Sequence, residues 1–178
     1  MIYVFLAEGF EEMEALAPVD MLRRVGVPVT TVGVDQKEVR GAHNITIVAD
    51  CLAVDVLLDD IEGVILPGGM PGTLNLEKNE MVQKAIDYCV EQNKLICAIC
   101  AAPSILGHKG ILKGKRVTCF PGFEKDCEGA KMQPDCVVVD GTIITAKGAG
   151  CAMLFGAAVI AYLKGQETAE KLLQDMQV

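Results

Sequence analysis

The stretch that decides the fold runs from Asn93 to His108: Asn-Lys-Leu-Ile-Cys-Ala-Ile-Cys-Ala-Ala-Pro-Ser-Ile-Leu-Gly-His. Leu95 to Ile99 is a nearly continuous apolar run, the pattern of a strand buried on both faces in a parallel sheet. Ala101 to Leu106 opens a helix, with Pro103 in its first turn. Cys100 therefore falls at a sharp strand-to-helix turn, and the two small residues after it leave room for that turn. This is the arrangement of a nucleophile elbow with Cys in place of Ser. Helix N–H groups and the positive end of the helix dipole favour thiolate there. The same residues also fit a buried, unreactive Cys at a strand end.

Outward from this stretch, strands and helices alternate. Ile2 to Leu6 is a buried strand. Residues 11–25 carry Met13, Leu16, Ala17, Val19, Met21 and Val25 at helical spacing, up to Gly26. Pro28 to Val34 and Gly63 to Leu66 are further strands, and Ile45 to Asp50 a strand or hairpin arm. Asn79 to Gln92 is an amphipathic helix. Lys115 to Phe120 reads as a strand, and 121–135 as loop. Cys136–Asp140 and Thr142–Ala146 form a hairpin around Asp140-Gly141, a strong turn signal. Cys151 to Leu163 and Thr168 to Met176 are helices. Such alternation predicts one α/β domain over 1–178, a doubly wound, mostly parallel sheet with helices on both faces. Ligands bind such sheets at the carboxyl ends of the strands.

The 178 residues are 51% hydrophobic but only 4% aromatic, so the core is aliphatic. A formal charge of −8 argues against nucleic acid or an anionic membrane as partner. No uncharged apolar run approaches about 18 residues, so no membrane span is expected. Met1 to Glu8 reads as a first strand and not as a signal peptide, which gives a cytoplasmic expectation. The eight Cys are then expected as reduced thiols. Cys97 and Cys100 form a Cys-x-x-Cys. Strand geometry would separate their Cα atoms by about 10 Å and point their side chains to opposite faces, so no disulfide is expected between them. No second Cys-x-x-Cys or His pair follows at zinc spacing, so no metal is expected.

Three loops fall at carboxyl ends of strands. The first, Glu8-Gly9-Phe10-Glu11-Glu12-Met13-Glu14, places carboxylates where a nucleotide-binding sheet places glycines, and would repel a pyrophosphate. No Gly-x-Gly-x-x-Gly or phosphate-loop motif occurs in suitable context. Glu11 and Glu12 suit the positive end of a helix, whereas Glu14, one turn further in, can face the Cys100 crevice. The second loop is Pro67-Gly68-Gly69-Met70-Pro71-Gly72. The N–H of Gly69, with that of Ala101, could form an oxyanion site. By itself the loop also fits an ordinary strand-to-helix turn. The third, Lys147-Gly148-Ala149-Gly150, is suited to close packing against the elbow. Of the two histidines, His108 lies about 12 Å along the helix from Cys100 and suits the helix C-terminus. His43 lies in a loop. An ordinary Cys-His dyad is not supported.

Glu11-Glu12-Met13-Glu14, Pro18-Val19-Asp20, Arg23-Arg24-Val25-Gly26, Leu66-Pro67-Gly68-Gly69, Ala98-Ile99-Cys100-Ala101-Ala102-Pro103 and Thr145-Ala146-Lys147-Gly148-Ala149-Gly150 together resemble the ThiJ/PfpI superfamily. The likeness is to its parkinsonism-associated deglycase branch and bacterial relatives, and it covers nearly the whole chain. It implies a flavodoxin-like fold, a homodimer, a reactive Cys100 and a protonated Glu14 that donates a hydrogen bond to it. A negative Glu14 would oppose the thiolate. Gly68, Glu11, Phe120 and Gly148 would line the site, with Phe120-Pro121 where relatives often carry His-Pro. Ala102 replaces a frequent Gly. Ala101 stands where the peptidase branch has His, so peptidase activity is not expected.

The resemblance implies a cofactor-independent glyoxalase or deglycase acting on small carbonyl compounds such as methylglyoxal. The alternative is a redox sensor or holdase that signals through oxidation of Cys100 to a sulfinic acid.

Overall fold

The computed structural model describes residues 1–178. The strands, in chain order, are β1 (Ile2–Leu6), β2 (Val29–Gly33), β3 (Glu38–Arg40), β4 (Thr46–Val48), β5 (Cys51–Leu52), β6 (Gly63–Leu66), β7 (Leu95–Ile99), β8 (Arg116–Val117), β9 (Lys131–Met132), β10 (Val137–Asp140) and β11 (Ile143–Ala146). The helices are α1 (Glu12–Arg24), α2 (Gly72–Lys78), α3 (Glu80–Glu91), α4 (Pro103–His108), α5 (Ala152–Lys164) and α6 (Gln166–Asp175).

The central sheet has the order β10-β11-β7-β6-β1-β2-β5. Every pairing is parallel except β10 against β11. Counting only the parallel strands that alternate with helices (β1, β2, β6, β7, β11), the spatial order is 2-1-3-4-5, with its switch point between β1 and β6. The doubly wound reading is therefore correct.

Strand periodicity explains why the sheet has two cores. Ile2, Val4 and Leu6 pack with α1, α5 and α6 on one face. Tyr3 and Phe5 pack with α2, α3 and α4 on the other. In β7, Leu95, Cys97 and Ile99 join the first core and Ile96 and Ala98 the second. Apolar contact on both sides is what a continuous hydrophobic strand requires.

Several elements differ from the sequence reading. Helix α2 has no counterpart there; Thr73 N–H donates to Gly69 O and Asn75 N–H to Pro71 O, which starts a turn directly after the Pro-Gly run. The strand expected over Lys115–Phe120 shortens to Arg116–Val117, paired with β9 outside the main sheet. Beyond it, Thr118 N–H donates to Thr145 Oγ1 and Phe120 N–H to Cys100 O, so the backbone leaves the ladder to brace the elbow. The expectation of eight reduced thiols is contradicted: Cys136 and Cys151 form a disulfide with Cα atoms 5.8 Å apart. The β10–β11 hairpin folds the chain back and brings the two together, which sequence spacing does not reveal. No helix is long and apolar enough to cross a membrane.

Candidate active site

The site is built from the carboxyl ends of β1, β6, β7 and β11, across the switch point. Cys100 has φ +65°, a left-handed conformation uncommon for a residue with a Cβ. Such a backbone is strained and persists only when its surroundings hold it. Here Cys100 N–H donates to Ala146 O at 2.9 Å, and Cys100 O accepts from Phe120 N–H at 2.8 Å. The turn also breaks the pleat. Cys100 packs against the same core as Cys97, not the opposite one as strand alternation predicts. Both remain free thiols, as expected.

Glu14 comes to this elbow from α1. Glu11 caps the helix: its carboxylate accepts from Glu14 N–H at 2.8 Å, and its own N–H donates to Gly68 O at 3.0 Å. One turn in, Glu14 is only 1% exposed. Its Oε2 accepts from Gly68 N–H at 2.8 Å. Its Oε1 is buried without a conventional hydrogen-bond partner, and the group within reach of the carboxyl is the Cys100 thiol. Gly68 sits between the two. A Cβ there would lie 2.7 Å from both Cys100 Cβ and Glu14 Oε2, so only glycine permits this approach.

Burial raises the Glu14 carboxyl from an ordinary 4.5 to about 7, against the Gly68 N–H and the Cys100 contact, which favour ionisation. Burial, together with the nearby Glu14 charge, pushes the Cys100 thiol up to about 12; the N–H groups of Ala101 and Gly69 oppose this. The sequence-based expectation of a thiol shifted towards thiolate is thus corrected. Helix α4 has only six residues and no side-chain cap, so its end supplies too little to outweigh desolvation. A thiolate at Cys100 is compatible with a neutral Glu14, not with an ionised one.

The remaining expected residues also converge. The N–H groups of Gly69 and Ala101 address the Cys100 sulfur itself. A Cβ on Gly148 would lie 3.9 Å from Cys100 Sγ and 3.2 Å from the Phe120 ring. Gly148 and the half-exposed Phe120 thus form one wall of the crevice. Cys119, the residue before Phe120, is buried, and the neighbouring Cys127 thiol and burial raise its pKa. Neither histidine serves Cys100. His108 bonds Glu77, and His43 bonds Glu12.

Glu12 has a role that the sequence reading missed. Its position in the chain suits a helix-end charge, yet it is 4% exposed and accepts from His43 N–H at 2.8 Å and Ile45 N–H at 3.4 Å. His43 Nδ1 lies 2.9 Å from its other oxygen. Glu12 therefore ties the β3–β4 hairpin to α1. Glu11, Glu12 and His43 bring possible ligand atoms within 4.8 Å of one another, but those of Glu12 and His43 are engaged with each other and with the hairpin backbone.

Residues 1–162 match the DJ-1/PfpI family. The chain is 33% identical over 178 residues to Drosophila melanogaster protein dj-1beta, covering 98% of this chain and 95% of that protein. It is 34% identical over 171 residues to the Caenorhabditis elegans glutathione-independent glyoxalase DJR-1.2, covering 95% and 91%. Against Arabidopsis thaliana DJ-1 homolog B it is 36% identical but spans only 39% of that longer protein. Among solved structures, Drosophila DJ-1beta superposes with a TM-score of 0.94 at 32% identity, covering 99% of this chain and 97% of that one. Oxidized Toxoplasma gondii DJ-1 gives 0.94 at 30%, covering 99% and 97%. Sheet order, elbow and sequence agree, and the chain belongs to the DJ-1/PfpI family, with its flavodoxin-like α/β fold.

Proposed function

We propose that the protein is a cofactor-independent glyoxalase that converts small 2-oxoaldehydes such as methylglyoxal to 2-hydroxy acids. The observation that carries this reading is the buried Glu14 carboxyl, raised to about 7, against the free Cys100 thiol. The name of the C. elegans relative supports it.

With Glu14 neutral, Cys100 attacks the aldehyde carbon as the thiolate and forms a hemithioacetal oxyanion. The Gly69 and Ala101 N–H groups stabilise that charge; their effect on the Cys100 sulfur supports this role. Glu14 protonates the oxyanion and, now a carboxylate, takes the proton from the same carbon to give an enediol. It returns that proton to the neighbouring carbon, leaving a 2-hydroxyacyl thioester. Water hydrolyses the thioester and frees Cys100. The sum is methylglyoxal plus water to lactate and a proton. The site acts as part of a homodimer, as the family likeness implies.

The test is lactate formation from methylglyoxal without added thiols or amines. Wild type forms lactate, Cys100→Ala forms none, and Glu14→Gln is strongly slowed. Lactate from wild type no faster than from Cys100→Ala would overturn the reading.

One arrangement also favours oxidation sensing. The donors around Cys100 suit sulfinate oxygens as well as an oxyanion. Two equivalents of peroxide convert the thiol to sulfinic acid with release of two waters. If Cys100 gains two oxygens no faster than the other free thiols under dilute peroxide, this second reading fails.

A further inference from the structure

The Gly148 wall hangs between two half-cystines. Lys147 N–H donates to Cys136 O at 3.0 Å, and Cys151 N–H donates to Gly148 O at 2.8 Å. The Cys136–Cys151 disulfide closes the loop that contains both strands of the β10–β11 hairpin and residues 147–150. That loop touches the elbow twice: Ala146 O holds the Cys100 N–H, and Gly148 faces Cys100 Sγ. We propose that Cys136–Cys151 is a second redox site, a reversible clamp that low-molecular-weight thiols open and that sets access to Cys100.

The two sulfurs are unequal in a way that suits exchange. Cys136 is half-buried and lies just ahead of β10, the edge strand of the sheet. Cys151 is 9% exposed and occupies the N-cap position of the 13-residue helix α5. An incoming thiolate meets Cys136 Sγ first. As the new S–S bond forms there, the Cys136–Cys151 bond breaks and Cys151 leaves as thiolate. The helix N-terminus favours that charge, and a lower-pKa thiol leaves faster. A second thiol then resolves the mixed disulfide, so two small thiols become one small disulfide and the protein gains two thiols. With the bond open, residues 147–150 lose their covalent tie to the sheet edge. Gly148 can then move off Cys100 and Phe120, admitting reagents and water to the sulfur.

The inference rests on Cys100 as the reactive group of the proposed function, but its readout is alkylation. A failure to form lactate would overturn the glyoxalase reading and leave the clamp standing. Wild type is divided in two. One portion is treated with diamide, which takes two electrons and two protons from a thiol pair. The other is reduced with dithiothreitol. Both are desalted without oxygen, and peptide masses establish that Cys100 is free. Iodoacetamide labelling of Cys100 is then followed by mass spectrometry.

The oxidised protein, denatured, labels at six cysteines, matching the six free thiols of the structure. Cys100 in the native protein labels several-fold faster after reduction. The Cys136→Ser/Cys151→Ser double variant labels at the reduced rate whether or not diamide is added. Eight labelled cysteines after diamide would overturn the proposal, as would equal Cys100 rates in the oxidised and reduced wild type. If the double variant does not fold, the two wild-type rates decide alone.

Discussion

Gly68 donates its N–H to Glu14 Oε2 at 2.8 Å, and its missing side chain leaves the space in which the carboxyl approaches Cys100. A methyl at position 68 would also lie 3.0 Å from Ile99 O, so Gly68→Ala must push the strand end, the acid or the nucleophile. Overpacking of this kind costs about 1–3 kcal/mol. A displacement of about 1 Å between reacting groups costs on the order of 100-fold in rate. Thermal melts and lactate rates of Gly68→Ala are expected to show both losses, with the larger effect on kcat. An unchanged rate would mean that the Glu14–Cys100 spacing does not govern the chemistry.

Glu14 also makes stability depend on pH. Its folded-state pKa, about 7, lies above the ordinary 4.5, so the folded protein holds the proton more tightly than the unfolded chain does. The associated stabilisation is complete below about 4.5 and is lost as pH rises through about 7. At roughly 1.4 kcal/mol for each tenfold change in proton affinity, the loss is on the order of 3 kcal/mol. Denaturant unfolding of wild type and Glu14→Gln between pH 5 and pH 8 should show it. The variant, which cannot ionise at this position, loses less stability across that range. Parallel pH profiles would contradict the buried, neutral acid.

Glu12 is expected to act through the β3–β4 hairpin and not through the helix end. Glu12→Ala removes the carboxylate that holds the His43 and Ile45 N–H groups and leaves them to water at this exposed turn. Hydrogen exchange at the His43 and Ile45 amides should accelerate. The His43 pKa, raised by its hydrogen bond to Glu12, should fall back towards the ordinary imidazole value, as followed by its ring-proton NMR signals. If exchange at these amides is unaffected, the tie is not what holds the hairpin.

The parts of this molecule legible in its sequence are those that local periodicity and residue size determine. Ile2–Leu6 and Leu95–Ile99 are apolar at every position because they feed two cores, and that alone implies a sheet covered on both faces. The Cys100 elbow shows itself because Ala101 and Ala102 are small and Pro103 can start a helix. Glu14 is one turn into α1, so its approach to the elbow follows once strand order is inferred. The rest depends on tertiary meetings. The partner of Cys136 is 15 residues away and found only after the hairpin closes. The destination of Glu12 depends on where the β3–β4 hairpin packs. The Cys100 pKa runs against its local sequence because helix dipole and N–H groups are local features, whereas burial and the Glu14 charge, which outweigh them, belong to the folded crevice. Phe120 packs against Gly148, but the strand leading to it is shorter than its apolar pattern suggests. Its N–H serves Cys100 O and not a neighbouring strand.

The claim on which the chemistry turns is that Glu14 holds its proton near neutrality, beside a thiol that cannot ionise against a charged neighbour. It is tested most directly by following the Glu14 side-chain carboxyl carbon by NMR in 13C-glutamate-labelled protein, assigned by its absence from Glu14→Gln. The account predicts a midpoint of about 7. A midpoint near 4.5, the ordinary glutamate value, would mean that Glu14 is an anion at neutral pH, and it would contradict a proton-donating Glu14 and the glyoxalase mechanism built on it.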